Sequence, residues 1–310
     1  MAVFEIFAQP ELRRYKTHAC SKAVVFQIFV ILLTYIPPLL VAYRSRGFWR
    51  KTDNYREQIQ GRFEHQMLLV LDTGVNGEYV TWSTYQNYNQ MQQAHLRVPL
   101  IKSREVDVNG DGNRDLLEMN VEVPLKDTEK VYGVKLMLFF FVHLSTYSQI
   151  DIKSMGLINY DASRPGAELR YIGDLKFKQK EPVMVRGTDR RYDGAILSNS
   201  IHAEAYDFYR IIRDYQKRNL TANLENAYPL WVTGRAAGQP FVINATINYV
   251  DSIVEYHPGL WQLLKWAWIQ YLAIMIIFWW VFRRIKLVVF ENKLVNTVVE
   301  RPWNDKKHPF

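Results

Sequence analysis

With 310 residues, 48% of them apolar, the chain is long enough for one or two ordinary domains with cores of their own. A single cysteine, Cys20, excludes a disulfide-stapled framework. The net charge of +8 gives no reason to read a nucleic-acid binder: residues 1–22 hold 4 basic and 2 acidic side chains and 283–310 hold 7 and 3, whereas 44–260 hold 27 and 26. The basic excess flanks two apolar segments, which suits an anionic membrane leaflet.

The first apolar segment runs from Ala23 to Tyr43, AVVFQIFVILLTYIPPLLVAY, 21 residues without a charge. A helix rises about 1.5 Å per residue, so about 20 apolar residues cross a hydrocarbon core of roughly 30 Å. The run exceeds the usual signal-peptide core of about 7–15 residues and lacks a small-x-small cleavage site, so it reads as an uncleaved anchor. Pro37 and Pro38 each remove a backbone donor and predict a kink or an end there. Cys20, just ahead of the span, is a candidate palmitoylation site, with an unmodified thiol as the alternative.

Residues 44–260 follow the two-residue period of strands. Tyr79, Thr81, Ser83 and Tyr85 alternate with Val80, Trp82 and Thr84; Leu96, Val98 and Leu100 share a face, as do Leu117, Met119, Val121, Val123 and Leu125. Val134, Leu136, Leu138, Phe140 and Val142 make a longer case, and 169–177 a weaker one. Asn76-Gly77 and Arg164-Pro165-Gly166 read as turns between strands. Together they predict a mainly β, sandwich-like domain. One helix interrupts it over 200–218, where Ala205, Phe208, Ile212 and Tyr215 recur at helical spacing after Ser200 as cap.

Between the second and third strand segments lies Asp107 to Glu118, DVNGDGNRDLLE. Asp107, Asn109, Asp111 and Asp115 offer side-chain oxygens at loop positions 1, 3, 5 and 9, Asn113 a backbone carbonyl at 7, and Gly112 permits the sharp turn. Calcium takes six to eight oxygens at about 2.3–2.6 Å, so this spacing marks a candidate calcium loop. The flanks read as strands, so the loop resembles the calcium-binding hairpins of integrin propellers more than an EF-hand, and Glu118 falls on the outgoing strand. A polar turn without an ion is the alternative.

Two glycosylation acceptors follow, Asn219-Leu-Thr and Asn244-Ala-Thr. In 241–249 Phe241, Ile243, Ala245, Ile247 and Tyr249 alternate with a face holding Asn244, Thr246 and Asn248, so the apolar set is expected inside and Asn244 towards solvent. That strand ends about ten residues before the next span, which predicts a domain close to the membrane.

The second apolar segment, Gln262 to Phe282, carries only Lys265, near enough to its start to snorkel. With Trp261 ahead of it, the span is assigned to 261–282; Trp266, Trp268 and Tyr271 near one end and Trp279 and Trp280 near the other read as interfacial belts. Arg283, Arg284, Lys286 and Lys293 follow it, which predicts a cytosolic C-terminus. The charges around the first span balance; two spans then put the N-terminus in the cytosol as well and residues 44–260 outside it, in keeping with the sequons. No metal cofactor is required by any other motif, and His65, His95, His143, His202 and His257 are scattered. No nucleophile elbow or zinc-protease motif points to an enzyme.

Four stretches resemble the transmembrane protein 231 family: 33–49 (LTYIPPLLVAYRSRGFW), LRVPL at 96–100 with the DVNGDGNRD loop, GRAAGQPFVINATI at 234–247 and the long run from Pro258 to Asn292. The resemblance covers nearly the whole chain, is loose over 150–200 and in the last 15 residues, and leaves Glu118 outside the shared loop. It implies a two-span component of the tectonic-like, or Meckel syndrome, complex of the ciliary transition zone. That complex is a membrane barrier controlling entry to the cilium, needed for cilium assembly and Hedgehog-type signalling. Implied partners are tectonics, B9-domain proteins and other transition-zone membrane proteins, within the lipid bilayer. Two readings from other classes are a two-span channel subunit or a calcium-dependent extracellular binding protein, with a membrane-tethered hydrolase behind them.

Overall fold

The structure is a computed structural model that describes residues 13–46, 48–74 and 77–300. Asn76 of the expected Asn76-Gly77 turn lies outside the described residues. In chain order come β1 (Arg14–Lys16), α1 (Lys22–Arg44), β2 (Asp53–Gln58), β3 (Gln60–Asp72), β4 (Tyr79–Ser83) and α2 (Gln86–Met91). Next are β5 (Leu100–Val106), β6 (Leu116–Val123), β7 (Val131–Leu144), β8 (Gln149–Gln179), β9 (Val183–Met184) and β10 (Thr188–Tyr192). The last are α3 (Phe208–Gln216), β11 (Leu220–Thr233), β12 (Phe241–Tyr249), β13 (Asp251–His257), α4 (Leu260–Glu291) and β14 (Val298–Glu300). They form two units, Met1–Lys51 with Gly259–Phe310, and Thr52–Pro258.

The β unit is organised by β8, a 31-residue strand. Its first half pairs with β7 and β10 and its second half with β12 and β11. Ile150 and Ile152 each have a β7 and a β10 partner, and Gly166 has both Val131 and Thr233, so β7 and β12 follow one another along the same edge of β8. From that edge one wing continues as β7–β3–β4 and the other as β12–β6–β5. The expected turn at Arg164-Pro165-Gly166 is thus a correction: the strand runs through it. The β7 ladder skips from Asp161 to Gly166, and Pro165, which has no N–H to give, sits in the skipped stretch.

The two wings curl until their inner faces meet, which gives a sandwich-like core within one nine-stranded sheet where two sheets were expected. Phe140 of β7 packs edge-on against Tyr249 of β12 at 6.3 Å and lies 5.7 Å from Phe63 of β3. A Cβ on Gly61 would stand only 3.0 Å from the Tyr249 ring, so glycine lets the backbone of β3 approach it. Glu105 of β5 closes the seam. Its carboxylate accepts from the Phe63 N–H (2.6 Å) and the Tyr249 hydroxyl (3.1 Å) and pairs with Arg114 at 2.7 Å.

β7 reads as a nearly unbroken apolar run because both its faces are covered. Val134, Leu136, Leu138, Phe140 and Val142 enter the main core, while Met137 and Phe139 join a second cluster with Tyr88 of α2 and Ile211 and Tyr215 of α3. The expected helix over 200–218 is present only as α3, after a short 3-10 turn at Ala203–Tyr206. Its cap is Asp207, whose side chain accepts from the Tyr209 and Arg210 N–H groups, and Ser200 instead accepts from His202. Of the residues read as one strand face, Val98 lies ahead of β5 and Leu100 opens it, and both are exposed at the end strand of the sheet. A three-stranded sheet, β2–β13–β9, completes the unit.

In the other unit α1 and α4 run antiparallel. Phe26 meets Phe290, the Tyr271 hydroxyl donates to the Tyr35 carbonyl, and Arg50 lies over Trp266. α1 continues through Pro37 and Pro38 to Arg44, neither ended nor divided. Beyond the helices β1 pairs antiparallel with β14, joined by a Lys16–Glu300 ion pair of 2.6 Å.

Candidate functional site

No enzyme-like centre stands out among the described residues, so three arrangements bear on function: the helix pair, the 107–115 loop and the sequons. α1 is long and apolar enough to cross a membrane. Ala23, Val30, Thr34, Pro38 and Ala42 make its buried stripe, small or compact residues that let a second helix approach. α4 is longer, 32 residues, with Trp, Tyr, Gln and Lys diluting its apolar run. Ala267 is its buried residue, and Trp261, Trp268, Ile276, Ile277, Trp279 and Trp280 are all at least half exposed. Among the described helices α1 alone is both long and apolar enough to cross a membrane, and α4, expected as the second span, is not apolar enough by the same measure. At its far end Arg283 lies over Trp279 and Arg284 over Trp280, at 5.3 and 6.0 Å.

The loop after Val106 lies in a hairpin between β5 and β6, as its flanks predict. Asp107 accepts from the Gly110 and Gly112 N–H groups, Asn109 from Asp111, and Asp111 from Asn113. Asp115 accepts from Val108 and Asn109 on one oxygen and from the Gln58 amide, 57 residues away in sequence, on the other. These bonds, the one from Val108 first, hold the Asp115 carboxyl below the usual carboxylate range. Gly110 and Gly112 take the left-handed conformation the tight turn requires. Glu118 sits on β6 across from Arg104, 3.8 Å away, outside the loop. No three His, Cys, Asp or Glu side chains converge as a metal set among the described residues.

The loop is thus held by its own amides. A site of millimolar affinity, at about ten times its Kd, would add about 1.4 kcal/mol. The thermal midpoint of the full chain in detergent, with and without calcium, decides between the two readings: a rise of several degrees is expected of an ion site and an unchanged midpoint of a polar turn.

Asn219 precedes β11, and its amide donates to Glu181 at 3.1 Å. In β12 the expected alternation holds: Phe241, Ile243, Ala245, Ile247 and Tyr249 are buried. Asn244 lies on the outer face, half-buried, donating to Glu168 (2.6 Å) and accepting from Asn120 (2.8 Å). Cys20 is exposed, two residues ahead of α1.

The arrangement nearest to acid–base chemistry is His143–Asp151–Arg190. Asp151 meets the His143 Nδ1 at 2.6 Å and the Arg190 Nε at 2.9 Å, and these partners, the histidine first, hold its carboxyl below the usual range. Because the folded value is depressed, the stabilisation is present above the unfolded pKa of about 3.9 and is lost as pH falls through the folded value. Asp151→Asn is expected to cost about 1–2 kcal/mol at pH 7, with the gap to the parent closing in acid, below the ordinary carboxylate range. Denaturant titrations at neutral pH and in acid check it; a pH-independent cost would assign the loss to packing. His202 and Glu204, the other pair with chemical potential, lie exposed at the turn before α3.

A sequence model of the family described as "Transmembrane protein 231" matches residues 1–299. The "Transmembrane protein 231" of Xenopus tropicalis is 46% identical over 299 residues, 96% of each chain. That of Homo sapiens is 44% identical over 300 residues, covering 96% of this chain and 95% of the other. Against the cryo-EM structure of a proton-activated chloride channel the TM-score is 0.22 at 7% identity, over 86% of this chain and 98% of that one, too low to carry a shared fold.

Proposed function

This chain belongs to the transmembrane protein 231 family, and on that premise we propose that it is a non-enzymatic, two-span structural component of the ciliary transition zone. In this reading α4 is the second span, β2–β13 form a domain outside the cytosol, and both tails are cytosolic. The antiparallel helices with their tails joined through β1 and β14 support the topology, since both ends of the chain then leave the membrane on one side. The protein acts by contacts, within the bilayer and outside it, with tectonics, B9-domain proteins and other membrane proteins of the tectonic-like complex. There it helps form the barrier that controls entry to the cilium, on which cilium assembly and Hedgehog-type signalling depend.

The observation that carries this reading is the family match along nearly the whole chain, joined to two helices whose apolar surfaces suit lateral packing. A channel subunit would need a polar or small-residue stripe along a pore, whereas α4 presents Trp, Ile and Leu. Proximity labelling from the tagged protein in ciliated cells tests the assignment, and enrichment of transition-zone components is the expected result. Its absence, or currents from the purified protein in a bilayer, would overturn it. Topology has its own test: a glycosidase-sensitive mobility shift is expected and should vanish in the Asn219→Gln/Asn244→Gln double variant.

A further inference from the structure

We infer that the cavity where the two tails meet, at the start of α1, is a phosphate site that takes the headgroup of an anionic phospholipid. The inference rests on the reading of α1 and α4 as spans with both tails on one side. The cavity holds about 720 Å³ and is lined by Val298 and by six polar side chains, those of Lys16, Thr17, His18, Ser21, Asn296 and Thr297. Each of the six polar side chains can donate a hydrogen bond, and none is a carboxylate.

Three features favour a phosphate. The 23-residue helix α1 begins there without a side-chain cap and without an acidic residue in its first turn, so its N-terminal amides carry unopposed positive dipole. Thr17 donates to the Ser21 hydroxyl at 2.8 Å, which leaves the Ser21 proton free to point elsewhere. The Thr297 hydroxyl oxygen is buried and has no hydrogen-bond partner among the described residues. Lys16 supplies the full charge, shared with Glu300 at 2.6 Å. A phosphate monoester or diester presents three or two strong acceptor oxygens to such a set.

The lipid, rather than free phosphate, follows from position. The apolar run of α1 begins at Ala23, within one turn of Ser21, so the cavity stands where a span leaves the hydrocarbon for the headgroups. A headgroup bound there keeps its acyl chains beside the apolar face of the same helix. Tyr15, Phe26 and Phe290, which pack together next to this end, would flank those chains.

The test uses the full-length protein in phosphatidylcholine nanodiscs, titrated with short-chain phosphatidylinositol phosphate and followed by native mass spectrometry. Saturable binding of one lipid is expected, with inorganic phosphate a poor competitor. Lys16→Gln should weaken it about 5-fold, the effect of one basic side chain at the surface. Thr297→Val keeps the shape of the wall and should weaken it as well, whereas Glu300→Gln, which releases Lys16, should tighten it. Lys286→Gln, elsewhere in the basic tail, should change it by less than about 2-fold. Equal losses from Lys16→Gln and Lys286→Gln would show diffuse attraction and overturn the site. Full competition by inorganic phosphate would overturn the lipid. Loss of the glycan shift in the wild-type protein would instead strike the topology itself.

Discussion

Glu105→Ala is expected to lower the thermal midpoint of the full chain by about 6–12 °C, the equivalent of about 3 kcal/mol for a domain of this size. Glu105 is 15% exposed and is shared by three donors from three parts of the chain, the Phe63 amide, the Tyr249 hydroxyl and Arg114. Truncating it removes the acceptor and leaves those donors at the seam between the wings, and a buried donor left unpaired costs more than the net value of its bond. Burial first, and Glu105 second, hold the Tyr249 phenol well above its ordinary value, so its hydroxyl stays a donor at any working pH. Glu105→Gln keeps an acceptor oxygen and loses the charge opposite Arg114, so about half the loss is expected. Differential scanning of the three proteins in one detergent decides it. An Ala variant within about 2 °C of the parent would mean that the wings are held by apolar packing alone.

The second large effect sits beside it. Phe140→Ala should cost about 3–5 kcal/mol, because the ring is fully buried where the two wings meet and the space it leaves is walled by rigid strands. A Cβ added at Gly156 would come within 3.0 Å of both Phe140 and Leu224. Gly156→Ala alone is therefore expected to destabilise, and to do so less in the Phe140→Ala background, where the crowding is relieved. The coupling in that double-mutant cycle, read from denaturant midpoints, should exceed about 0.5 kcal/mol. Simple additivity would show that the strands shift to make room.

Much of this was readable from residue order where a pattern is local. The apolar run of α1 needs only its own composition, and β12 declares its inner face through Phe241, Ile243, Ala245, Ile247 and Tyr249. The hairpin around 107–115 follows from its flanking strands. What resisted was set by distant partners. Pro165 and Gly166 read as a turn because nothing nearby reveals that β8 changes neighbours at that point and needs a site free of a ladder amide and of a Cβ, which would strike the Trp231 ring. Val98 and Leu100 alternate like strand residues, yet β5 starts only at Leu100, and only the strand order says that it has no neighbour on its outer side. Ser200 and Asp207 are both good caps, and the 3-10 turn between them passes the role to the second. Glu105 carried no signal at all, since an isolated acid in a strand is ordinarily a solvated one. The cavity at the start of α1 was equally silent, being assembled from tails far apart in sequence, as the pairing of Lys16 with Val298 shows.

The pairing of β2 with β13 constrains how the protein is made. Tyr256 lies across from Asp53, a separation of 203 residues, so the first strand of the domain waits for the last before its ladder can form. Gly259 and α4 follow almost at once, and a ribosome shields the latest few dozen residues of its product. The domain's final strand therefore emerges only when much of α4 has already been translated, and closure of the β unit cannot precede synthesis of that helix. During the wait β2 is an unpaired edge, the kind of surface that recruits chaperones. Truncations that stop before β13 should accordingly accumulate as chaperone-bound species rather than as a shorter folded domain.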